Sequence, residues 1–224
     1  MVGAFTASDN FTLHALFSRR PLVTDKIPTH KRLMDIVLAG VMILVLAPVF
    51  IVTAISVAVT TRGSIFFIQE RVGYRGQKFG MIKFRSMYRD AEARRAALLS
   101  ASDRAGICFK SKDDPRITPI GRFLRRTSID ELPQLFNVVF GHMSLVGPRP
   151  ALATEVAQYP KHALERLKAL PGITGIWQVS GRADIDFEQM VQMDVAYARH
   201  SSVWLDFVIL VLTAGAVVSG RGAY

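Results

Sequence analysis

Residues 36–59 read IVLAGVMILVLAPVFIVTAISVAV, 24 consecutive positions without a charge. About 20 apolar residues suffice to span the hydrocarbon layer of a bilayer, so this stretch belongs in a membrane. Pro48 lies at its middle, where the missing N–H and the ring clash bend a helix near the bilayer centre. Two outcomes fit a bent apolar run: a spanning helix that tolerates its proline, and a re-entrant hairpin that turns back. Lys26, His30, Lys31 and Arg32 precede the run, and Arg62, Arg71 and Arg75 follow it. Positive charge on both flanks gives no orientation and favours the hairpin. The run starts too late, and lacks the small-residue cleavage site, for a removable signal peptide.

The chain has 224 residues, enough for one substantial core and its attachments. Half of it is hydrophobic and yet the net charge is +10, a combination uncommon in soluble enzymes. Residues 1–35 carry a net +2, residues 62–126 a net +10 and residues 127–224 a net −2. The surplus therefore follows the apolar run, where lipid head groups, substrate phosphates or nucleic acid would each match it. The single cysteine, Cys108, excludes an intrachain disulfide and reads as a packed thiol in a reducing compartment.

Beyond the apolar run, residues 66–68 and 79–84 flank a Gly73-Tyr74-Arg75-Gly76 turn and predict a β-hairpin. Helices are predicted over 87–101, 120–126, 129–140, 152–169 and 187–199, the last with Asp186 as N-cap. An apolar run over 207–218, only 12 residues long with Trp204 at its edge, suits an interfacial or buried helix. The first 30 residues read as a tail, with Phe11, Leu13, Leu16 and Phe17 able to line a short interfacial helix. The predicted class is α+β, mostly helical, with a small β-hairpin.

The segment RFLRRTSIDELPQ, residues 122–134, concentrates the chemistry. Arg122, Arg125 and Arg126 fall at i, i+3 and i+4 on one helix face, and clustered guanidinium groups suit phosphate oxygens. Ser128 and Glu131 have capping-box spacing, which places Asp130 and Glu131 in a first helical turn where the helix dipole favours ionised carboxylates. An ionised aspartate facing a phosphoryl group can act as nucleophile, and an adjacent carboxylate can share a hard cation such as Mg²⁺. Lys83 and Arg85 alternate with Phe84 on the predicted hairpin and share a face, able to clamp a diphosphate. Pro148 and Pro150 hold Arg149 on a rigid turn. Each pattern also has a plainer reading as solvated surface charge or as a dipole partner. Phosphate-loop, dinucleotide, zinc and serine-elbow motifs are absent, as is any nucleic-acid fold signature.

Several ordered blocks carry a family resemblance: KRLMD (31–35), FIQERVG (67–73), KFRSM (83–87), DPRIT (114–118), DELPQ (130–134), SLVGPRP (144–150), PGITG (171–175), WQVSGR (177–182) and SGRGAY (219–224). From about Lys31 to Tyr224 the chain resembles the monotopic phosphoglycosyl transferases. These bacterial sugar transferases begin exopolysaccharide, capsule, O-antigen and glycoprotein glycan assembly. The resemblance implies a tail over 1–30, a re-entrant membrane hairpin over 31–61 bent at Pro48, and a catalytic domain over 62–224 with interfacial helices. It implies a catalytic dyad of Asp130 and Glu131 holding Mg²⁺, with Lys83, Arg85, Arg125, Arg126 and Arg149 on substrate phosphates.

The implied reaction is ping-pong. Asp130 attacks the sugar-bearing phosphorus of a UDP-sugar, UMP leaves, and undecaprenyl phosphate takes the sugar phosphate from the aspartyl intermediate. The implied setting is the cytoplasmic face of the bacterial inner membrane, among membrane lipids, with a homo-oligomer compatible and no nucleic-acid partner. Long members carry four spanning helices and a further domain ahead of the catalytic part, so a minimal catalytic form is expected here. Ala47 stands where many relatives have serine, removing one hydrogen bond from the bend. A polytopic sugar-phosphate transferase would need many spanning segments. A DNA-binding membrane protein would show steeply salt-dependent affinity. An inactive membrane-anchored lipid-binding scaffold would keep the hairpin and the basic face but would not need both carboxylates.

Overall fold

The computed structural model describes residues 27–61, 63–91, 114–180 and 185–219. Cys108, the first 20 residues and all but the start of the helix predicted over 87–101 lie outside these ranges. That start is not helical: Met87 bridges Ile117 and the backbone then turns through Ala91.

The apolar run forms two helices, α1 (Thr29–Val45) and α2 (Ala47–Thr61), bent by 63° at Leu46. The break falls just ahead of Pro48, whose missing N–H leaves the Leu44 carbonyl without its helical donor. No single helix among the described residues is long and apolar enough to cross a membrane, whereas the bent pair passes by length and composition. Its faces differ sharply. Ala39 and Val57 are fully buried against the rest of the molecule, while Leu44, Val45, Ile51, Val52 and Val59 are exposed. A contiguous apolar surface of this kind requires a non-aqueous neighbour.

The predicted hairpin is present as β1 (Phe66–Val72) and β2 (Lys78–Phe84), antiparallel with Phe67 opposite Lys83 and Arg71 opposite Phe79. Its turn needs left-handed backbone at Arg75 and Gly76. Then follow α3 (Pro119–Arg126), capped by the Thr118 hydroxyl, a 3₁₀ turn (Ile129–Glu131), and α4 (Gln134–Val139). The continuous helix predicted over 129–140 is thus two pieces, because Pro133 cannot donate into the first turn. Next come β3 (Ser144–Val146) and α5 (Ala153–Val156), a 3₁₀ helix (Lys161–Lys168), and β4 (Gly172–Thr174), parallel to β3. Pro160 splits the predicted helix over 152–169 in the same way. The chain ends with α6 (Ile176–Ser180), α7 (Phe187–His200) and α8 (Val203–Ser219). Asp186 caps α7 in a full capping box, as predicted.

The class is α+β and mostly helical. One core joins α1, β2, α4, β3, α7 and α8 through Ala39, Met81, Leu135, Val146, Tyr197 and Ile209. A second joins α2, β2 and α3 through Val57, Phe84 and Leu124. α8 is longer than the apolar run that predicts it, since buried Asp206 lies in its first turn. There Asp206 accepts from Lys31 Nζ at 2.5 Å and from the Tyr197 hydroxyl at 2.6 Å. Arg32 donates to the Val138 and Val139 carbonyls at the end of α4. The start of α1 is therefore held by polar bonds to the same body that carries β1.

Candidate active site

Asp130 and Glu131 sit in the 3₁₀ turn between α3 and α4. Ser128 takes a left-handed conformation (φ 57°) and its side chain caps nothing. The predicted capping box is therefore absent, and the turn is shaped by backbone bonds from Glu131 N–H to Ser128 O and from Leu132 N–H to Ile129 O. Two contacts set this turn against the hairpin. Fully buried Asn137 of α4 accepts from Ile82 N–H at 3.0 Å and donates to Gly80 O at 2.7 Å, bonding both polar groups to β2. On α3, a Cβ at Gly121 would lie 1.9 Å from the Ser86 carbonyl oxygen, so only glycine permits this approach.

The consequence is a Lys83 Nζ to Glu131 Oε1 bond of 2.6 Å and an Arg125 Nε to Ser86 Oγ bond of 2.9 Å. Burial pushes the buried Asp130 carboxyl up to about 6; Lys83 pulls it down, Glu131 pushes it up and Arg125 pulls it down. Burial also opposes ionisation of half-buried Glu131. The Lys83 ammonium, by its charge and its hydrogen bond, and then Arg149 and Arg71 more than offset this, holding Glu131 below its ordinary range. The two neighbours are driven apart, the usual sign of carboxylates with separate tasks.

A cleft opens beside the turn, lined by Arg71, Lys83, Glu131, Gln134 and Arg149 among others. Lys83, Glu131 and Arg149 were expected from sequence; Asp130 is not among the lining residues. Arg125 is placed next to Asp130, behind the wall, and burial lowers its guanidinium pKa. Arg85 shares the Lys83 face only in register: its guanidinium donates to the Ser64 and Phe66 carbonyls of the hairpin. Arg122 and Arg126 are exposed on α3, where Arg125 is half-buried, and none of the three lines the cleft.

Arg71 was read only as a flanking charge. It lines the cleft, donates to Gln69 Oε1 and to the Pro150 carbonyl, and sits on the β1 face that period-two alternation shares with Lys83. That alternation was the available signal. Gln134, 3% exposed yet lining the cleft, carried none beyond its place in the motif.

The family model described as bacterial sugar transferase matches residues 27–220. The chain belongs to the bacterial sugar transferase family. Its relatives include galactosyl transferase CpsE of Streptococcus agalactiae, 45% identical over 86% of this chain and 43% of that protein. The undecaprenyl-phosphate galactose phosphotransferase of Salmonella typhimurium is 42% identical over 87% of this chain and 41% of its own length. The exopolysaccharide production protein ExoY of Rhizobium meliloti is 37% identical over 87% of this chain and 88% of that protein. The chain thus spans about two-fifths of the length of the first two relatives and nearly all of the third.

Among the described residues no group of three or more His, Cys, Asp or Glu side chains is placed to hold a metal ion; the 3₁₀ turn offers the adjacent carboxylates of Asp130 and Glu131. Two carboxylates with the remaining positions filled by water and substrate phosphate is a coordination that Mg²⁺ favours.

Proposed function

We propose that the chain transfers a sugar 1-phosphate from a UDP-sugar to undecaprenyl phosphate, giving the polyprenyl-diphosphate sugar and UMP. One observation carries this reading: a buried aspartate and a neighbouring ionised glutamate stand in one turn, between Lys83 on the hairpin, Arg125 on α3 and Arg149 on a proline-locked loop. The array is cationic at the rim and carboxylate at the centre, the order that a diphosphate and an attacking carboxylate require.

In the first half-reaction an Asp130 oxygen attacks the phosphorus next to the sugar, the bond to the UMP oxygen breaks, and an aspartyl phosphosugar forms. Lys83 and Arg149 bind the non-bridging phosphate oxygens and offset the repulsion between anionic nucleophile and anionic donor. Arg125, anchored on Ser86, keeps Asp130 ionised as the donor closes the site. In the second half-reaction a phosphate oxygen of the lipid attacks the same phosphorus and releases Asp130. Bound Mg²⁺, held by Asp130 and Glu131, would supply further charge neutralisation on the diphosphate. Because Glu131 rather than Asp130 lines the cleft, the position of the covalent adduct is the sharpest check on these roles.

Support for a re-entrant hairpin is mechanical. Lys31 and Arg32 tie the start of α1 to α8 and α4, and α2 runs within a few residues into β1 of the same body. On this reading both ends of the bent pair lie on one side of the membrane. The exposed apolar faces of α1, α2 and α8, with Trp204 stacked on Phe207 at 5.8 Å, would seat the cleft at head-group depth, within reach of soluble donor and lipid acceptor. The cytoplasmic face of the inner membrane is the side where nucleotide sugars are made.

The test is UMP release by nanodisc-held protein with Mg²⁺, undecaprenyl phosphate and a panel of UDP-sugars, beside Asp130→Asn. Relatives are named for galactose and for glucose, so the panel includes both. Release that needs one donor, the lipid and Asp130 is expected. Mass spectrometry should place a trapped phosphosugar on residue 130; an adduct on Glu131 would exchange the two roles, and no release with any donor would leave the scaffold reading.

A further inference from the structure

We infer that the buried Arg166–Asp194 ion pair is a positioning unit that fixes the backbone of residue 149 and thereby aims the Arg149 guanidinium at the donor's diphosphate. The inference rests on the function proposed above.

Arg149 stands between two prolines, so its own N–H is the sole backbone donor of the Pro148-Arg149-Pro150 segment. Each of the three carbonyls accepts a hydrogen bond from another element. The Pro148 carbonyl accepts from Gly172 N–H at 2.9 Å, and the Pro150 carbonyl accepts from Arg71 Nη1 at 3.2 Å. The Arg149 carbonyl accepts from Arg166 Nη2 at 3.1 Å, and the Arg149 N–H faces the Asp194 carboxylate and favours its ionised form. Arg166 and Asp194 are themselves bonded to one another, with 2% and 1% of their surfaces exposed. The Tyr159 hydroxyl accepts from Arg166 Nη1 at 2.6 Å, and the Tyr159 ring lies 5.5 Å from its guanidinium carbon.

A buried ion pair is a poor device for stability, because desolvation of both charges offsets most of their attraction. Here the pair joins the 3₁₀ helix to α7, and both of its members reach the backbone of one residue, Arg166 by its bond to the Arg149 carbonyl and Asp194 beside the Arg149 N–H. That residue is the one whose side chain lines the cleft opposite Lys83 and Glu131. Pinning the two peptide groups of a residue fixes the direction of its Cα–Cβ bond, so a long flexible side chain starts from a defined origin and loses less entropy on gripping phosphate.

A double-mutant cycle on full-length protein in nanodiscs tests this. Donor KM and kcat are measured for wild type, Arg149→Ala, Arg166→Met and the double variant, using the UDP-sugar that wild type turns over. Arg166→Met should raise donor KM about tenfold when Arg149 is present and less than about twofold when it is not, since the pair acts through Arg149. Arg166→Lys should recover part of the loss. If Arg166→Met does not fold, Asp194→Asn, which keeps the shape and an acceptor oxygen, goes through the same cycle with the same expectation. An equal fold-change with and without Arg149 would overturn the inference while leaving the function intact. Wild type that turns over no donor would overturn the function, and this inference with it.

Discussion

Asp130, the proposed nucleophile, carries a cost in stability that can be measured. Its folded pKa of about 6 lies above the unfolded value of 3.8, so the folded state holds the proton more tightly. The stability this confers is fully present below about pH 4 and is lost as pH rises through about 6. In Mg²⁺-free buffer at pH 8, Asp130→Asn should therefore be more stable than wild type, by on the order of 2–3 kcal/mol, with the gap closing towards pH 4. Thermal melts at the two pH values check the sign. The same variant should lose roughly three orders of magnitude or more in turnover, as removal of a nucleophile does. Lys83 is the strongest influence that lowers the Asp130 pKa. Lys83→Met should accordingly move the acid limb of the kcat profile to higher pH, by about one unit, beyond any loss of donor affinity. An unmoved limb would show that Lys83 acts on phosphate alone.

The secondary elements position these residues by close backbone approach rather than by length or propensity. α3 can lay Arg125 on Ser86 only because Gly121 has no side chain; a Cβ there would meet the Ser86 oxygen at 1.9 Å, and neither backbone can yield. Gly121→Ala should destabilise the protein by about 1–3 kcal/mol, the range for overpacking, and lower kcat through displacement of Arg125. Denaturant melts and turnover should fall together; a stable variant of normal activity would contradict the packing. α4 does comparable work through Asn137, which pins the dyad turn to β2 with two hydrogen bonds. The bend between α1 and α2 is the other decisive local feature. It falls just ahead of Pro48 and makes of a single apolar run two helices set 63° apart in direction.

At the scale of the molecule, both ends of the bent pair join one body, and that predicts its topology in a membrane. In a Cys108→Ser background, cysteines introduced singly at His30 and Ser64 should both label with an impermeant maleimide from the cytoplasmic side. Labelling from opposite sides would require a spanning helix. The bent apolar run, the hairpin, α3, α7 and the DELPQ motif were all legible in the sequence, because apolar length, period-two alternation, capping and motif order are properties of neighbouring residues. The interruptions of the helices predicted over 129–140 and 152–169 were signalled by Pro133 and Pro160 but outweighed by the helical periodicity around them. Four features depended on partners far along the chain. Lys31 meets Asp206 across 175 positions, and Arg166 meets Asp194 across 28. Arg71 reaches the cleft from the hairpin, while Arg85 donates to the Ser64 and Phe66 carbonyls. The sequence by itself determined that the chain is a mostly helical α+β protein with a bent apolar run and adjacent carboxylates in a basic setting. Only the tertiary structure decided which cations face that dyad, because a helical or strand period sets the side on which a charge lies, and packing against distant elements sets what that side meets.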